Sequence, residues 1–224
     1  MNNLNMMQQF AVWVLPVLFG ITIHEVAHGW MANRLGDPTA LMLGRLTLNP
    51  VKHIDPIGTI VVPITLLLMS SIAGTSLFIF GWAKPVPVTF ENLRQPKRDM
   101  ALVAVAGPAA NLFMALLWGL LVKVASLFSG QEAVWAGVPL LFMGLAGIAI
   151  NSTLMVLNLL PLPPLDGGRI LMGLLPSSLT GWLARIESFG MIILLLLLTS
   201  GILAQIMDPL VRMVQYAVIS ILYL

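Results

Sequence analysis

FAVWVLPVLFGITIHEVAHGWM, residues 10–31, is an apolar run of 22 residues whose only ionisable side chains are His24, Glu25 and His28. A stretch of that length and apolarity covers a bilayer as a helix. Each ionisable group near its centre costs roughly 2.5–3.5 kcal/mol on insertion scales, so three on one turn imply a compensating partner. His24 and His28 stand at i and i+4 and point to the same side of a helix, where both imidazoles can face one metal ion. Glu25 is one residue on and displaced around the helix, so it can reach a water at that metal without being a ligand. This is the H-E-x-x-H arrangement, with glutamate as general base. The competing reading is two histidines hydrogen-bonded inside a bundle, with Glu25 neutralised by burial. At membrane depth, with all three groups together, we favour a zinc site, one Zn²⁺ per chain.

The rest of the chain has the same solvent in view. Of 224 residues, 58% are hydrophobic and only 9% charged, against about 25% charged in ordinary soluble domains; the mean hydropathy is +0.96. We expect an all-α polytopic membrane protein, a bundle of about five to six transmembrane helices, with no separate water-soluble domain. A net charge of +2 over so few charges offers no nucleic-acid surface. With no cysteine, disulfides and cysteine-based metal sites are excluded. The amino terminus, MNNLNMMQQF, lacks a basic region and a small-residue cleavage site, so the first apolar run reads as a retained span.

Apolar blocks fall at 8–33, 57–80, 100–128, 134–160, 188–206 and 209–224, with polar loops at 34–56 and 81–99 and shorter breaks at 129–133 and 161–169. No Lys or Arg precedes the first span, while Arg34, Arg45 and Lys52 follow it, so it is expected to run from outside to cytosol. The loop with Lys84, Arg94, Lys97 and Arg98 is also basic. Simple alternation would put it outside. If 57–80, interrupted by Pro63 and Gly74, goes in and returns on the same side, every loop obeys the charge rule. We therefore read it as re-entrant in preference to a full span. The segment after it, GWAKPVPV, could serve as an edge strand for an extended substrate.

A catalytic zinc needs three protein ligands and one open position. His53 is the one further histidine, and we expect it to structure its loop. Most carboxylates lie in polar loops. Asp166 differs: it sits in NLLPLPPLDGGRI, where Pro161, Pro163 and Pro164 break the helix and Gly167-Gly168 permits a tight turn. Broken backbone at membrane depth is tolerated where it lines a cavity or is buried in protein. The plain alternative is a cytosolic turn, with Asp166 capping a helix that starts near Ile170. With no better third ligand for HEVAH, Asp166 is the expected one.

HEVAH, then Gly107-Pro108-Ala109-Ala110-Asn111, then Asn158-x-x-Pro161-x-Pro163-x-x-Asp166-Gly167, taken with GRLTLNPVKHIDPIG and FGWAKPVPV, resemble the site-2 protease family of intramembrane zinc metallopeptidases. The match covers most of residues 20–170 and is to compact prokaryotic members without a PDZ or CBS domain. The resemblance implies that His24, His28 and Asp166 bind zinc and that Glu25 activates water. It implies a single transmembrane metalloprotease domain over 1–224, its catalytic core about 8–175, in a prokaryotic cell (inner) membrane with its site toward the cytosol. Substrates would be single-span membrane proteins cut within or near the lipid bilayer. Asn111 and Asn158 would hold substrate backbone or the developing oxyanion; interhelical hydrogen bonding is the alternative for both. Gly107 and its alanines read as close-packing residues. Regulation is expected to come through a partner membrane protein, through gating by 57–99, or through a first trimming cut elsewhere in the substrate.

Two rivals remain. Another membrane metalloprotease type would take a downstream glutamate as third ligand, and the later spans offer only Glu187. A zinc transporter or metal sensor would need ionisable groups along a path through several spans.

Overall fold

The computed structural model describes residues 6–73 and 81–224. Its helices are α1 (Met6–Arg34), the single turn α2 (Thr39–Met42), α3 (Val62–Ala73), α4 (Pro96–Ala125), the short α5 (Gly130–Glu132), α6 (Val138–Leu159), α7 (Asp166–Leu174), α8 (Ser177–Thr199) and α9 (Ile202–Leu222). The chain is an all-α polytopic membrane protein. Among the described residues there is no strand, and 81–89, which holds GWAKPVPV, has no regular secondary structure; the pairing expected of it is with substrate.

Among the described residues, four segments are long and apolar enough to cross a membrane: Phe10–Arg34, Pro96–Ala125, Gly130–Leu159 and Ile202–Leu222. α8, 23 residues long, carries Arg185 and Glu187 in its interior and is outside those four; the helical run that begins at Pro56 is described as far as Ala73. The break before the last helix moves. The sequence pattern divides the last two apolar blocks at Met207-Asp208, yet both residues lie inside α9. The turn falls at Ser200-Gly201, because Gly201 takes the left-handed conformation (φ 76°).

The turn of the 57–80 block lies outside the described residues, but its two ends meet. Trp82 N–H donates to Gly58 O (3.1 Å), Thr59 Oγ1 donates to Trp82 O (2.9 Å), and Lys84 N–H donates to His53 O (2.9 Å). The block thus leaves the bundle beside where it entered, the geometry a re-entrant segment requires.

α4 is the central element and packs against α1, α6, α7 and α9. Pro96 starts it, and the Asp99 carboxylate accepts from Gln95 N–H (2.8 Å), satisfying a backbone donor ahead of the helix. Met114, Ala115, Trp118 and Val122 of α4, Ile148 of α6 and Val218 of α9 form one buried cluster; Val156, Leu194, Leu203 and Met207 form a second, joining α6, α8 and α9. Ile23 of α1 packs against the first cluster, so α1, α4 and α6 are held in fixed register, and that register sets the functional groups.

Beyond α1 the chain is pinned by Asp37. Its carboxylate, with no exposed surface, accepts from Thr39 N–H, Thr39 Oγ1, Thr89 N–H and Asn92 Nδ2. Burial alone would raise its pKa, but the hydrogen bonds from Thr39, Asn92 and Thr89 outweigh that and hold it below the ordinary value. The segment at 89–92 is thereby tied to the end of α1.

Candidate metal centre

His24 and His28, one turn apart on α1, stack edge to face with ring centroids 4.5 Å apart. Their Nε2 atoms are 3.0 Å from each other, and Asp166 Oδ2, at the first residue of α7, lies 3.2 Å from His24 Nε2 and 3.1 Å from His28 Nε2. All three side chains are buried.

The protons on these rings follow from what surrounds them. His28 Nδ1 faces Val103 O at 2.7 Å, and a carbonyl only accepts, so Nδ1 carries the hydrogen. His24 Nδ1 faces Asn111 Oδ1 at 2.6 Å. The orientation of that amide is set by Gly20 O, which must receive Asn111 Nδ2–H (3.0 Å). Asn111 Nδ2 also donates to Asn151 Oδ1 (3.0 Å), whose own Nδ2 is fixed by donating to Gly147 O (2.9 Å). Both histidines are therefore Nδ1–H tautomers, and both Nε2 lone pairs face the carboxylate.

With neutral rings, three electron pairs converge, and Asp166 Oδ2 is buried without a hydrogen-bond partner. Such a cluster is repulsive unless a cation sits in it. Donors around a tetrahedral zinc, at ~2.0–2.2 Å from the ion, are separated by about 3.3–3.6 Å, a few tenths beyond the 3.0–3.2 Å seen here. Borderline imidazole and hard carboxylate donors suit the same ion. The residues fit a divalent metal. Among the described residues, no other group of His, Asp or Glu comes together in this way; Glu187 is not part of the cluster.

Glu25, half-buried, stands outside the donor triangle, and its Oε2 accepts from Val86 N–H (2.8 Å). Arg45 Nη2 holds the two preceding residues by donating to Lys84 O (3.0 Å) and Pro85 O (3.3 Å). A small cleft of about 140 Å³ opens here, lined by His24, Glu25, His28, Val86, Asn158 and Asp166 among others.

The backbone explains several motif residues. A Cβ on Gly107 would overlap His28 Nε2 and lie 2.6 Å from His24 Cε1, so α4 can pass the two rings only as glycine. Gly167 and Gly168 belong to the first turn of α7 and are not a tight turn. They are glycine because the helix start presses on the carbonyls of Leu159 and Leu160 and the backbone of Pro163. Gly107→Ala should displace both imidazoles, costing about 1–3 kcal/mol of packing strain; calorimetric titration should then show divalent-metal binding lost or sharply weakened in a chain that remains helical.

Of the two asparagines expected to touch substrate, Asn158 lines the cleft, with Nδ2 donating to Leu154 O (3.0 Å). Asn111 does not: it has no exposed surface, and its amide is committed to His24, Gly20 and Asn151. Its place is behind the histidine. His53 is buried in its loop, Nε2–H donating to Thr47 O (2.9 Å), as expected of a loop-structuring residue. Asn151 escapes the sequence reading. Its one signal there is a lone amide in an apolar block, seven residues and two turns before Asn158.

A bundle of membrane-crossing helices with two imidazoles and a carboxylate converging at a cleft is the build of a membrane-embedded metal centre. The chain belongs to peptidase family M50, the site-2 protease family: the family pattern matches residues 119–200, a stretch that contains Asn158 and Asp166. It is similar to the Bacillus subtilis (strain 168) protein named "Putative zinc metalloprotease YwhC", 37% identical over 202 residues, covering 89% of this chain and 85% of that one. A Mycolicibacterium smegmatis protein named "Putative zinc metalloprotease Rip2" is 32% identical over 190 residues, covering 84% of this chain and 67% of its own length. No solved structure matches the chain.

Proposed function

We propose that this protein is a zinc metalloendopeptidase of the HExxH type that cleaves transmembrane segments of single-span membrane proteins. The observation that carries the proposal is the convergence of His24 Nε2, His28 Nε2 and Asp166 Oδ2 beside Glu25 within membrane-crossing helices. The zinc metalloprotease names of the relatives and the M50 family support it.

His24, His28 and Asp166 would hold one Zn²⁺. Bound there, zinc would supply a water that ionises near neutral pH and a Lewis acid for the scissile carbonyl. Glu25 takes the water proton and delivers it to the leaving amine. Asn158, at the cleft wall, donates to substrate backbone or to the developing oxyanion. The cleft, about 140 Å³, is far too small for a helix ~10 Å across. Substrate must therefore enter unwound, with its carbonyl exposed beside the 82–89 segment that Arg45, Asp37 and Glu25 hold in place.

The basic loops that follow α1 and precede α4 support an orientation with the site toward the cytosol, in a prokaryotic inner membrane. The whole of 1–224 acts as one catalytic domain, with access controlled by the 57–99 segment or by a regulatory membrane protein. Among the described residues, one group of ionisable side chains converges, His24, His28 and Asp166 beside Glu25, and nothing here favours transport.

The test is co-expression with a panel of single-span membrane proteins, wild type against Glu25→Gln. Shortened products present only with the wild type support the proposal, and their absence across a broad panel counts against it. Asn111→Ala should weaken zinc retention about 10–100-fold by freeing the His24 ring, as loss of outer hydrogen-bond partners does elsewhere. Chelator competition on purified protein reads this directly. Unchanged retention would mean that the ring needs no such support.

A further inference from the structure

α9 is packed on one side only. Leu203 and Met207 join Val156 of α6 and Leu194 of α8, while Val218 joins Met114 and Trp118 of α4. Near the far end Lys123 Nζ donates to Leu222 O (2.9 Å). These contacts fix the depth of what lies between them. Asp208 and Arg212 sit in the middle of the 21-residue helix, on the side turned away from the bundle.

Their side chains are 64% and 68% exposed, and Arg212 Nη2 lies 3.8 Å from Asp208 Oδ2, at the edge of contact. Among the described residues neither charge meets any other group. Arg212 is ten residues from each end of α9, about 15 Å of helix, too deep to extend its guanidinium into water. A guanidinium has five donors, and one distant oxygen satisfies few of them. Charged groups turned toward acyl chains at this depth are costly and normally face protein or a water-filled cavity.

We propose that this face of α9 is the contact with a second copy of the chain. Copies inserted the same way can close only about an axis along the membrane normal, so the two α9 helices run parallel. Such an interface must be self-complementary, residue i meeting j and j meeting i. The stripe has that property: it carries both signs one turn apart, so each Arg212 reaches the partner's Asp208 and the four charges neutralise as a ring. A partner of one sign would satisfy only half of the stripe. Pro209, Met213 and Tyr216 line a shallow groove beside the charges and supply the apolar contact.

The chain has no cysteine, so single cysteines report cleanly. Met213→Cys, treated in native membranes with a short bis-maleimide, should give a dimer of the chain. Phe113→Cys on α4, 59% exposed on another face, should stay monomeric. In the Met213→Cys background, Arg212→Asp should reduce the dimer at least about tenfold, since like charges then face one another. The exchange Asp208→Arg with Arg212→Asp should restore it. A misfolded chain would not be rescued by the exchange. The proposal is overturned if no dimer forms at 213, if 113 cross-links equally, if the exchange fails to restore the dimer, or if 213 joins a different membrane protein instead.

Discussion

Glu25→Gln is expected to abolish peptide hydrolysis while leaving zinc content and fold unchanged. The substitution is close to isosteric, and the amide oxygen of glutamine can still accept the 2.8 Å hydrogen bond from Val86 N–H. What it loses is the ability to take a proton. General acid–base groups contribute about 10²–10⁴ in rate, and a fall of that size in cleavage of a reconstituted substrate is expected. His24, His28 and Asp166 are untouched, and metal analysis should still find one zinc per chain. Retained turnover with full zinc would remove Glu25 as the base. Lost turnover with lost zinc would mean that Glu25 supports the metal itself, in conflict with its place outside the donor triangle.

The parts of this site that are legible in the sequence are those where a side chain breaks the local pattern. Three ionisable groups in the first apolar run cannot be explained by lipid, and the i, i+4 spacing tells which two share a face. Asp166 stands out because prolines stop the helix just before it. The helix then restarts at the aspartate itself, which sends its carboxylate to the histidines and makes no cap. The re-entrant reading of 57–80 rests on loop charge and on the interruptions at Pro63 and Gly74, and the bond from Trp82 N–H to Gly58 O brings the described ends of that block together.

What is hidden has a common cause: it depends on direction, which residue identity does not encode. Asn111 reads equally well as a substrate contact or as a support, and only Gly20 O, fixing the amide, decides that its oxygen faces His24. Asn151 reads as ordinary glue between helices until its partner is known. Val86 contributes a backbone N–H to Glu25, and a valine's sequence carries no trace of that. Gly107 reads as a residue of close approach and is one, but its neighbours are the two imidazole rings, which makes a packing residue a condition for the site. The α8–α9 turn is misplaced from sequence because the charge of Asp208 interrupts the apolar run, whereas the turn itself rests on the left-handed conformation of Gly201.

Asp166→Ala is expected to empty the site. Structural zinc bound by four ligands is worth about 10–16 kcal/mol, or about 3 kcal/mol per ligand, which is about a hundredfold in affinity for each one lost. Alanine leaves two imidazoles whose lone pairs still face each other at 3.0 Å, and two donors on one helix do not close a tetrahedron. Asp166→Asn is the sharper companion. It keeps the volume and a carbonyl oxygen but removes the negative charge, so zinc retention should order as wild type, then asparagine, then alanine. Inductively coupled plasma analysis after dialysis against a graded chelator series would read that order, with circular dichroism reporting the fold independently. Because α7 packs on α4 and α6 through its backbone and apolar side chains, the helical signal should survive in both variants. If alanine at 166 holds zinc as the wild type does, the third ligand lies elsewhere, and the carboxylate beside the two rings has some other purpose.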